Sequence, residues 1–243
     1  ITLTMVISNG TCPNASATYS VNVYAKPTAS AGGSKTICQT GTATVSGAAY
    51  SNGTIAWTEN GYGSITSGAT TLTPTYTAAA GDAGHAVTLT MTVTNGSCTA
   101  ATATYTIYVD PFPTANAGGS TAVCYSSGAT VTVSGASATN GTIYWTENGY
   151  GSISSASRTT LTPVYTLNSS DVERTVTLTM TVTSNNTCGS ASASDTYQLY
   201  VKGTPTTANA GSNQTSSATC GLTTVTLGGN TPSRGTGMWS IVS

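Results

Sequence analysis

The heptapeptide "VTLTMTV" stands at Val87–Val93 and returns letter for letter at Val176–Val182. Apolar residues alternate strictly with threonine along it, so that every second side chain is Val, Leu or Met. A period of two is that of a β-strand with one face on a core and the other in water. Val and Thr are also β-branched and favour strands. The heptapeptide therefore predicts a half-buried strand that occurs at least twice.

Other stretches recur at nearly the same spacing. The nonapeptide "WTENGYGSI" occurs at Trp57–Ile65 and again at Trp145–Ile153, and "ITLTMVISNGTC" at Ile1–Cys12 matches the residues from Val87 onward. The offsets between copies lie between 86 and 89 positions. Such self-similarity indicates tandem copies of one folding unit. With joints at prolines, we predict the C-terminal part of a repeat (1–25), two complete repeats (26–111 and 112–203) and the N-terminal part of a further repeat (204–243).

Each complete repeat has the sequence pattern of a β-sandwich. Short alternating segments are separated by Asn-Gly pairs, which are strong signals of tight turns. About seven short strands in some 90 residues are typical of an immunoglobulin-like domain, in which a Trp on the third strand packs between two sheets. We therefore predict an all-β fold of tandem immunoglobulin-like β-sandwich repeats stacked head to tail, with Trp57, Trp145 and Trp239 as core anchors.

The composition argues against two classes of partner. Charged residues make up 5% of the 243 residues and the net charge is −1. A nucleic-acid-binding surface needs a concentration of positive charge, which is absent here. No run of about 18 apolar residues is present either, so this sequence predicts no membrane span.

Four stretches carry a resemblance to a known kind of repeat. "AGGSKTIC", "GTIAWTENGYGSI", "TLTPTYTAAAGDAG" and "VTLTMTVTNGSC" resemble the tandem Ig-like (PKD-like) repeats of very large secreted proteins of Bacteroidota. Such arrays include gliding-motility adhesins. The resemblance covers the whole sequence, and it is specific for the repeat and not for a function. It implies secretion through the type IX system and display at the bacterial cell surface.

The six cysteines fall into two classes by their place in the repeat. One class lies in the turn before the second strand (the A–B turn), and the other lies in the turn between the last two strands (the F–G turn). The A–B turn holds Cys38, Cys124 and Cys220, and the F–G turn holds Cys12, Cys98 and Cys188. One cysteine of each class per repeat, in a weakly charged β-protein, indicates disulfides formed in an oxidising compartment.

The pairing of these cysteines has more than one solution. Pairing within a repeat would give Cys38–Cys98 and Cys124–Cys188. However, the A–B and F–G turns lie at opposite ends of a sandwich, roughly 30 Å apart for strands of nine or ten residues, whereas a disulfide needs Cα atoms within about 7 Å. Head-to-tail stacking would bring the A–B turn of one repeat to the F–G turn of the next. This favours Cys38–Cys188, with within-repeat pairs and free or intermolecular thiols as alternatives.

No set of residues with catalytic or metal-binding spacing is evident. The single histidine, His85, has no recognisable nucleophile or orienting carboxylate beside it. Glu59 and Glu147 recur, but in different repeats, whereas a glycosidase needs two carboxylates about 5–9.5 Å apart. Asp82 and Asp171 recur before the "VTLTMTV" strand, and we expect them to cap the preceding turn. We therefore expect a protein that is not an enzyme and needs no metal or cofactor.

Two functions remain as hypotheses. The first is a structural or adhesive stalk, a repeat segment of an extracellular surface filament or adhesin on the bacterial cell surface. Its partners would be the neighbouring repeats of the same chain and other copies in a filament. The alternative is an array of carbohydrate-binding Ig-like modules that contact surface glycans. Tyr62 and Tyr150, inside the repeated nonapeptide, are the candidate surface contacts for that alternative.

Overall fold

Strands make up nearly all the regular secondary structure of the computed structural model, which describes residues 1–215 and 219–241. The backbone contacts divide the chain into two units. The first consists of Ile1–Phe112 with Ser184–Ala191, and the second of Pro113–Thr183 with Ser192–Ser243. None of the described helices is long and apolar enough to cross a membrane.

The strands follow the order that the repeats predict. In the first unit they are β1 (Thr2–Ile7), β2 (Ala15–Ser20), β3 (Thr28–Ser30), β4 (Ser34–Cys38), β5 (Thr42–Thr44), β6 (Ala49–Ser51), β7 (Thr54–Glu59), β8 (Ser64–Ser67), β9 (Thr75–Thr77), β10 (Ala86–Thr94) and β11 (Ala101–Asp110), with a 3₁₀ turn at Ala80–Asp82. In the second they are β12 (Thr114–Asn116), β13 (Ser120–Cys124), β14 (Thr130–Thr132), β15 (Ser137–Thr139), β16 (Gly141–Glu147), β17 (Ser152–Ile153), β18 (Val164–Thr166), β19 (Arg174–Ser184) and β20 (Ser192–Lys202), with a 3₁₀ turn at Ser169–Asp171.

Each complete repeat is a sandwich of two main sheets. The first repeat has a four-stranded sheet, in the order β4-β11-β10-β7, and a three-stranded sheet, β5-β9-β8. The second repeat has the same pair of sheets, β13-β20-β19-β16 and β14-β18-β17. In the first repeat β4 runs parallel to its neighbour β11, and in the second β13 runs parallel to β20. The pairs β10–β11, β10–β7 and β19–β20 are antiparallel. This is the strand arrangement of an immunoglobulin-like sandwich, and the chain is therefore an all-β, immunoglobulin-like tandem-repeat protein.

The alternating heptapeptide forms the centre of each core. The apolar residues of β10 are buried while the threonines between them are half-buried on the other face. Met91 lies opposite Trp57 in the ladder between β10 and β7. Trp57 is 5% exposed and its indole N–H donates to the Thr71 carbonyl oxygen at 2.9 Å. In the second repeat Trp145 has the same place, and both indoles thus combine large apolar burial with a satisfied polar group.

Trp239 does not act as a core anchor, contrary to the prediction. Its side chain is 59% exposed. No strand forms among the described residues that follow Lys202, so no facing sheet covers the indole. The reason is that Trp57 is buried by strands that come later in its own repeat, and no strand of the described residues takes that place beside Trp239.

The β1–β2 hairpin is regular but its apolar side is uncovered. Thr2 pairs with Ser20 and Ile7 with Ala15 in an antiparallel ladder. All six residues of each strand are exposed, including Met5 at 61%. The matching strand β10 buries the same alternating pattern, so burial of these side chains depends on a facing sheet and not on the sequence of the strand.

Candidate functional site

A disulfide in the first unit joins two distant parts of the chain. It links Cys38, at the end of β4, to Cys188, in the segment Ser184–Ala191 between β19 and β20. The two residues are 150 positions apart in sequence, and their Cα atoms lie 4.6 Å apart. This is the pair favoured from the sequence. The within-repeat alternatives are excluded in this structure, because Cys98 and Cys124 carry free thiols.

Hydrogen bonds hold the F–G turn of Cys188 against the end of β11. The amide Nδ2 of Asn186 donates to the Pro111 carbonyl oxygen at 3.0 Å. The backbone N–H and hydroxyl of Thr187 donate to one carboxylate oxygen of Asp110, at 3.0 and 2.7 Å. The Cys188 sulfur lies 3.5 Å from the Asp110 carbonyl oxygen. The disulfide therefore closes a contact that side-chain and backbone groups already orient.

The same contact occurs a second time in the first unit, without a disulfide. Nδ2 of Asn95 donates to the Ala25 carbonyl oxygen at 2.8 Å, and the Cys98 thiol lies 3.7 Å from the Tyr24 carbonyl oxygen. Tyr24 and Ala25 hold the positions in their repeat that Asp110 and Pro111 hold in the next. In both cases an Asn of the F–G turn donates to a backbone carbonyl oxygen at the end of the preceding repeat, and the Cys of the same turn lies beside the carbonyl one residue earlier. We call this element the turn-on-strand contact.

The other three cysteines are exposed free thiols. Cys12 lies in the turn between β1 and β2, Cys124 ends β13, and Cys220 lies in the segment after β20. Cys12 and Cys98 sit in turns of the same form. In each, the cysteine N–H donates to the carbonyl oxygen of the Asn three residues earlier at 3.1 Å.

A buried carboxylate organises the repeated nonapeptide. Asp82 is 1% exposed. One of its oxygens accepts from the Tyr62 N–H at 2.7 Å, and the other accepts from the N–H groups of Gly63 at 3.1 Å and Ala79 at 2.9 Å. The Tyr76 hydroxyl also donates to the second oxygen, at 2.7 Å. The carboxylate therefore joins the turn before β10, as the sequence predicts, to the loop after β7, which the sequence did not reveal.

The protonation of this pair follows from its surroundings. Burial acts to raise the pKa of Asp82, but hydrogen bonds from the three backbone amides and from the Tyr76 hydroxyl outweigh it and hold that pKa below its ordinary value. Burial, followed by the hydrogen bond to Asp82, raises the pKa of Tyr76 well above its ordinary value. A carboxylate that accepts four hydrogen bonds, one of them from a phenol, holds the loop of Tyr62 and Gly63 in place.

The second repeat contains the matching network. Asp171 is also 1% exposed, and it accepts from the N–H groups of Tyr150 at 2.8 Å and Gly151 at 3.1 Å. The Tyr165 hydroxyl donates to it at 2.7 Å. The signal in the sequence was a Tyr six positions before each Asp, at Tyr76 and Tyr165. The spacing alone does not reveal that the two side chains form a hydrogen bond in the folded chain.

Two glycines of the nonapeptide are required by close packing. A Cβ atom at Gly61 would overlap the Tyr76 hydroxyl, and one at Gly63 would overlap the Thr77 carbonyl oxygen. Asn60 accepts a hydrogen bond from the Thr88 N–H at 2.7 Å and so ties the same loop to β10. The repetition of "WTENGYGSI" is therefore explained by the scaffold.

The two candidate tyrosines point away from the core. Tyr62 is 78% exposed and Tyr150 is 60% exposed. The Tyr62 ring packs against the backbone of Gly81, and the Arg174 guanidinium lies 5.2 Å from the centre of the Tyr150 ring. The latter distance is that of a cation–π contact. Both rings are accessible to solvent. The backbone N–H groups of the same two tyrosines donate hydrogen bonds to Asp82 and Asp171.

The other polar residues considered from the sequence are Glu147, Glu59 and His85. Glu147 forms a two-point ion pair with Arg158, at 2.7 and 2.5 Å. This pair raises the pKa of Arg158 above its ordinary value. Glu59 and His85 are exposed. Among the described residues no group of three or more His, Cys, Asp or Glu could hold a metal ion.

Comparison with solved structures returns tandem immunoglobulin-like and cadherin domains. Drosophila N-cadherin EC1-4 matches with a TM-score of 0.48 and 14% identity over 78% of this chain and 52% of its own. A three-domain titin fragment matches with a TM-score of 0.38 and 15% identity over 74% and 65%. The extracellular domains 3–5 of Drosophila OTK match with a TM-score of 0.36 and 18% identity over 73% and 60%.

The chain thus spans about half to two thirds of the length of these neighbours. Identities this low concern the fold alone. No protein-family model and no curated protein sequence matches the chain.

Proposed function

We propose that this chain is a segment of a non-enzymatic structural or adhesive stalk, exported and displayed at the bacterial cell surface as part of a filament or adhesin. Its segments are the part-repeats 1–25 and 204–243 and the complete repeats 26–111 and 112–203. The observation that carries the proposal is the Cys38–Cys188 disulfide. It ties the A–B turn of one repeat to the F–G turn of the next. Under tension, the residues between the two cysteines could not be pulled out while this bridge is intact.

Two further features support a mechanical role. The turn-on-strand contact occurs twice with different sequences at the joint, so it belongs to the repeat and not to one domain pair. The buried networks of Asp82 and Asp171 satisfy their polar atoms within the fold, and no buried side-chain nitrogen or oxygen among the described residues lacks a partner. The Cys38–Cys188 disulfide also supports an oxidising, extracellular location. Export by the type IX system and a Bacteroidota source rest on the PKD-like repeat resemblance.

Pulling the chain from its two ends tests this proposal. With the disulfide intact, the 150-residue separation between the two cysteines should contribute nothing to the extension, whereas after reduction it should add about 500 Å. Cys98→Ala is the matched control and should leave the oxidised trace unchanged. Equal extension of the oxidised and reduced chains would overturn the proposal, since the joint would then bear no load.

The second candidate is an array of carbohydrate-binding modules, favoured by the exposure of Tyr62 and Tyr150 at matching positions. Exposed aromatic rings provide stacking surfaces for sugars. A glycan array probed with the chain and with the double variant Tyr62→Ala, Tyr150→Ala tests it. Binding that disappears in the variant supports this function, and absence of binding by the unaltered chain removes it.

A further inference from the structure

The sequence contains six Asn-Gly pairs, and such pairs carry a chemistry of their own. The pairs begin at Asn9, Asn52, Asn60, Asn95, Asn140 and Asn148. Where the backbone is free to bend, the amide nitrogen of the following residue can attack the side-chain carbonyl carbon of the asparagine. Glycine makes the attack easy, because it has no side chain in the way and the widest choice of backbone angles. The fold therefore decides which of the six pairs can react.

The pairs at the start of β7 and β16 are held against the neighbouring strand. A Cβ atom at Gly53 would overlap the Thr94 carbonyl oxygen, and one at Gly141 would overlap that of Thr183. The asparagines of both pairs have left-handed φ angles, 54° and 58°. Bending the backbone for the attack would break this packing.

The pairs in the two copies of "WTENGYGSI" are held by a hydrogen bond to the asparagine side chain itself. Oδ1 of Asn60 accepts from the Thr88 N–H at 2.7 Å, and Oδ1 of Asn148 accepts from the Thr177 N–H at 2.7 Å. The glycine of each pair packs against the hydroxyl of a buried tyrosine. Neither asparagine can turn toward its own backbone without giving up these contacts.

The pair Asn95-Gly96 lies in the turn between β10 and β11 and is held more loosely. Gly96 and Ser97 are exposed, and the turn lies beyond the last ladder pair of the two strands. One hydrogen bond closes it, from the Cys98 N–H to the Asn95 carbonyl oxygen at 3.1 Å. The Asn95 side chain donates from Nδ2 to the Ala25 carbonyl oxygen at 2.8 Å. A change of the backbone here disturbs the turn and its contact, but not the sandwich.

The joint that carries the disulfide has a different residue after its asparagine. There Asn186 makes the contact that Asn95 makes in the other joint, and Thr187 follows it. Thr187 is β-branched, so its side chain crowds the amide that would have to attack. Its N–H and hydroxyl are bound to Asp110, and Oδ1 of Asn186 accepts from the Cys188 N–H at 2.9 Å. The bridged joint is therefore protected from the reaction.

We propose that Asn95-Gly96 is a site of spontaneous deamidation, and that the reaction releases the turn-on-strand contact between Asn95 and Ala25. The modification converts a side chain that donates a hydrogen bond into a carboxylate, which can only accept one. The site is a property of the turn and goes beyond the proposed stalk. It marks a joint whose contact weakens as the protein ages, whereas the joint of Cys188 keeps its contact.

The reaction consumes water and needs no oxidant or reductant. The Gly96 amide nitrogen loses its proton to hydroxide and forms a bond to Cγ of Asn95. The bond between Cγ and Nδ2 breaks, and Nδ2 takes protons from water and leaves as ammonia. The product is a succinimide ring. Water then adds to one of the two ring carbonyl carbons and opens the ring, which leaves aspartate or isoaspartate at position 95.

The product cannot keep the contact. A carboxylate oxygen in place of Nδ2 would face the Ala25 carbonyl oxygen with no hydrogen between the two. Isoaspartate also adds a methylene to the backbone of the turn. In the unaltered chain the Cys98 thiol is half-buried, with its sulfur 3.7 Å from the Tyr24 carbonyl oxygen. Release of the turn should therefore expose this thiol.

Ageing of the chain in mildly alkaline buffer under argon, followed by peptide mapping, tests the site. We expect deamidation at Asn95 to be at least about tenfold faster than at Asn60, Asn148 or Asn186, because it requires only a local opening of an exposed turn. Methylation by an isoaspartyl methyltransferase identifies the isoaspartate product. Asn9-Gly10, in a turn with the same hydrogen bond, gives a reference rate in the same sample.

Alkylation of Cys98 by iodoacetamide, an uncharged reagent, tests the loss of the contact. Its rate should rise at least about threefold on ageing, relative to the exposed thiol of Cys124. A negative charge placed beside the thiol disfavours the reactive thiolate and by itself would slow alkylation, so a faster reaction reports release of the turn. Asn95→Asp should show the faster reaction without ageing. Asn95→Gln is the matched control, because its longer side chain must close a larger ring, and its rate should not change on ageing.

Each part of the proposal has its own contrary result. If Asn95 reacts no faster than Asn60 and Asn148, the site is overturned. If Asn95 reacts but the alkylation rate of Cys98 does not rise, the release of the contact is overturned. Neither result affects the Cys38–Cys188 bridge, on which the proposed stalk depends, so the two proposals fail separately.

Discussion

The phenol of Tyr76 donates a 2.7 Å hydrogen bond to the carboxylate of Asp82, and both groups are buried in the first repeat. The two residues are six positions apart, with Tyr76 in β9 and Asp82 at the end of the 3₁₀ turn between β9 and β10. The same carboxylate also accepts hydrogen bonds from the backbone N–H groups of Tyr62 and Gly63. The Tyr76–Asp82 pair therefore holds the loop after β7 against the sheet that contains β9. The relationship makes the stability of each repeat depend on one acidic side chain.

Removal of the negative charge should destabilise the first repeat. In Asp82→Asn, one of the two acceptor oxygens becomes an NH2 group, so at least one of the four donors, such as the Tyr62 N–H, loses its acceptor and the remaining bonds lose the negative charge. We expect the free energy of unfolding to fall by about 2–4 kcal/mol. Urea denaturation measures it. Glu59→Gln, a similar change at an exposed position, should cost less than about 0.5 kcal/mol, and equal effects would contradict the role given to Asp82.

The contribution of Asp82 should disappear in acid. Its pKa is lower in the folded chain than its ordinary value of 3.8, so its contribution to stability is fully present above that value and is lost as the pH falls through the lower, folded pKa. The stability difference between the unaltered chain and Asp82→Asn should stay constant from pH 7 to about pH 5 and narrow below about pH 4. Denaturation curves across this range measure it, and a difference that widens toward acid would have the wrong sign.

Loss of the disulfide should lower the stability of the first unit. A bridge across 150 positions restricts the unfolded chain strongly, and the loop-entropy estimate for such a length is about 5 kcal/mol. Cys38→Ala should therefore lower the melting temperature measured by calorimetry. A reducing agent should do the same to the unaltered chain and nothing further to the variant. Cys98→Ala serves as the comparison, and an equally large effect there would refute a specific role for the bridge.

The hydrogen bonds that hold the turn of Cys188 against the end of β11 should favour formation of the Cys38–Cys188 disulfide, because they place the two sulfurs close together. Asn186→Ala removes the hydrogen bond to the Pro111 carbonyl oxygen and also the two that the Asn186 Oδ1 accepts from the Ser184 hydroxyl and the Cys188 N–H, each worth about 1 kcal/mol. The equilibrium constant for forming Cys38–Cys188 in a glutathione buffer should then fall by at least about threefold. Asn185→Ala changes an exposed neighbour in the same turn and should leave the constant unaltered. Quantitative thiol trapping distinguishes the two.

The three tryptophans should differ in their importance. Trp57→Ala and Trp145→Ala empty large volumes in the cores, and each should cost about 3–5 kcal/mol in the free energy of unfolding. Trp239→Ala should cost almost nothing in the isolated chain, because its indole is exposed. Fluorescence-detected unfolding of the three variants gives the ranking. A cost for Trp239 comparable to that for Trp57 would contradict the exposure of its indole.

Much of the fold could be predicted from the repeats. The alternation in β10 and β19 predicted half-buried strands, and the copied segments predicted the two sandwiches. The place of each cysteine in the repeat, with the distance limit on a disulfide, favoured Cys38–Cys188. These predictions succeeded because they depend on local periodicity and on the spacing of copies, both of which are visible along the chain.

The buried hydrogen-bond networks and the exposure of Trp239 could not be predicted in the same way. The sequence suggested a turn-capping role for Asp82, but not the loop of Tyr62 and Gly63 that it holds. It assigned Trp239 to a core by analogy with Trp57, and the structure leaves that side chain exposed.

The sequence by itself thus determined the β-strand class and the repeat, and it sorted the cysteines into two positions of the repeat without fixing how they pair, because periodicity and copy number are properties of the chain order. Only the tertiary structure decided which polar atoms meet and which apolar faces are covered. Hydrogen bonds and burial depend on residues that are far apart in sequence, such as Asn186 and Pro111. They exist only when a second sheet or a neighbouring turn is in place to supply the partner.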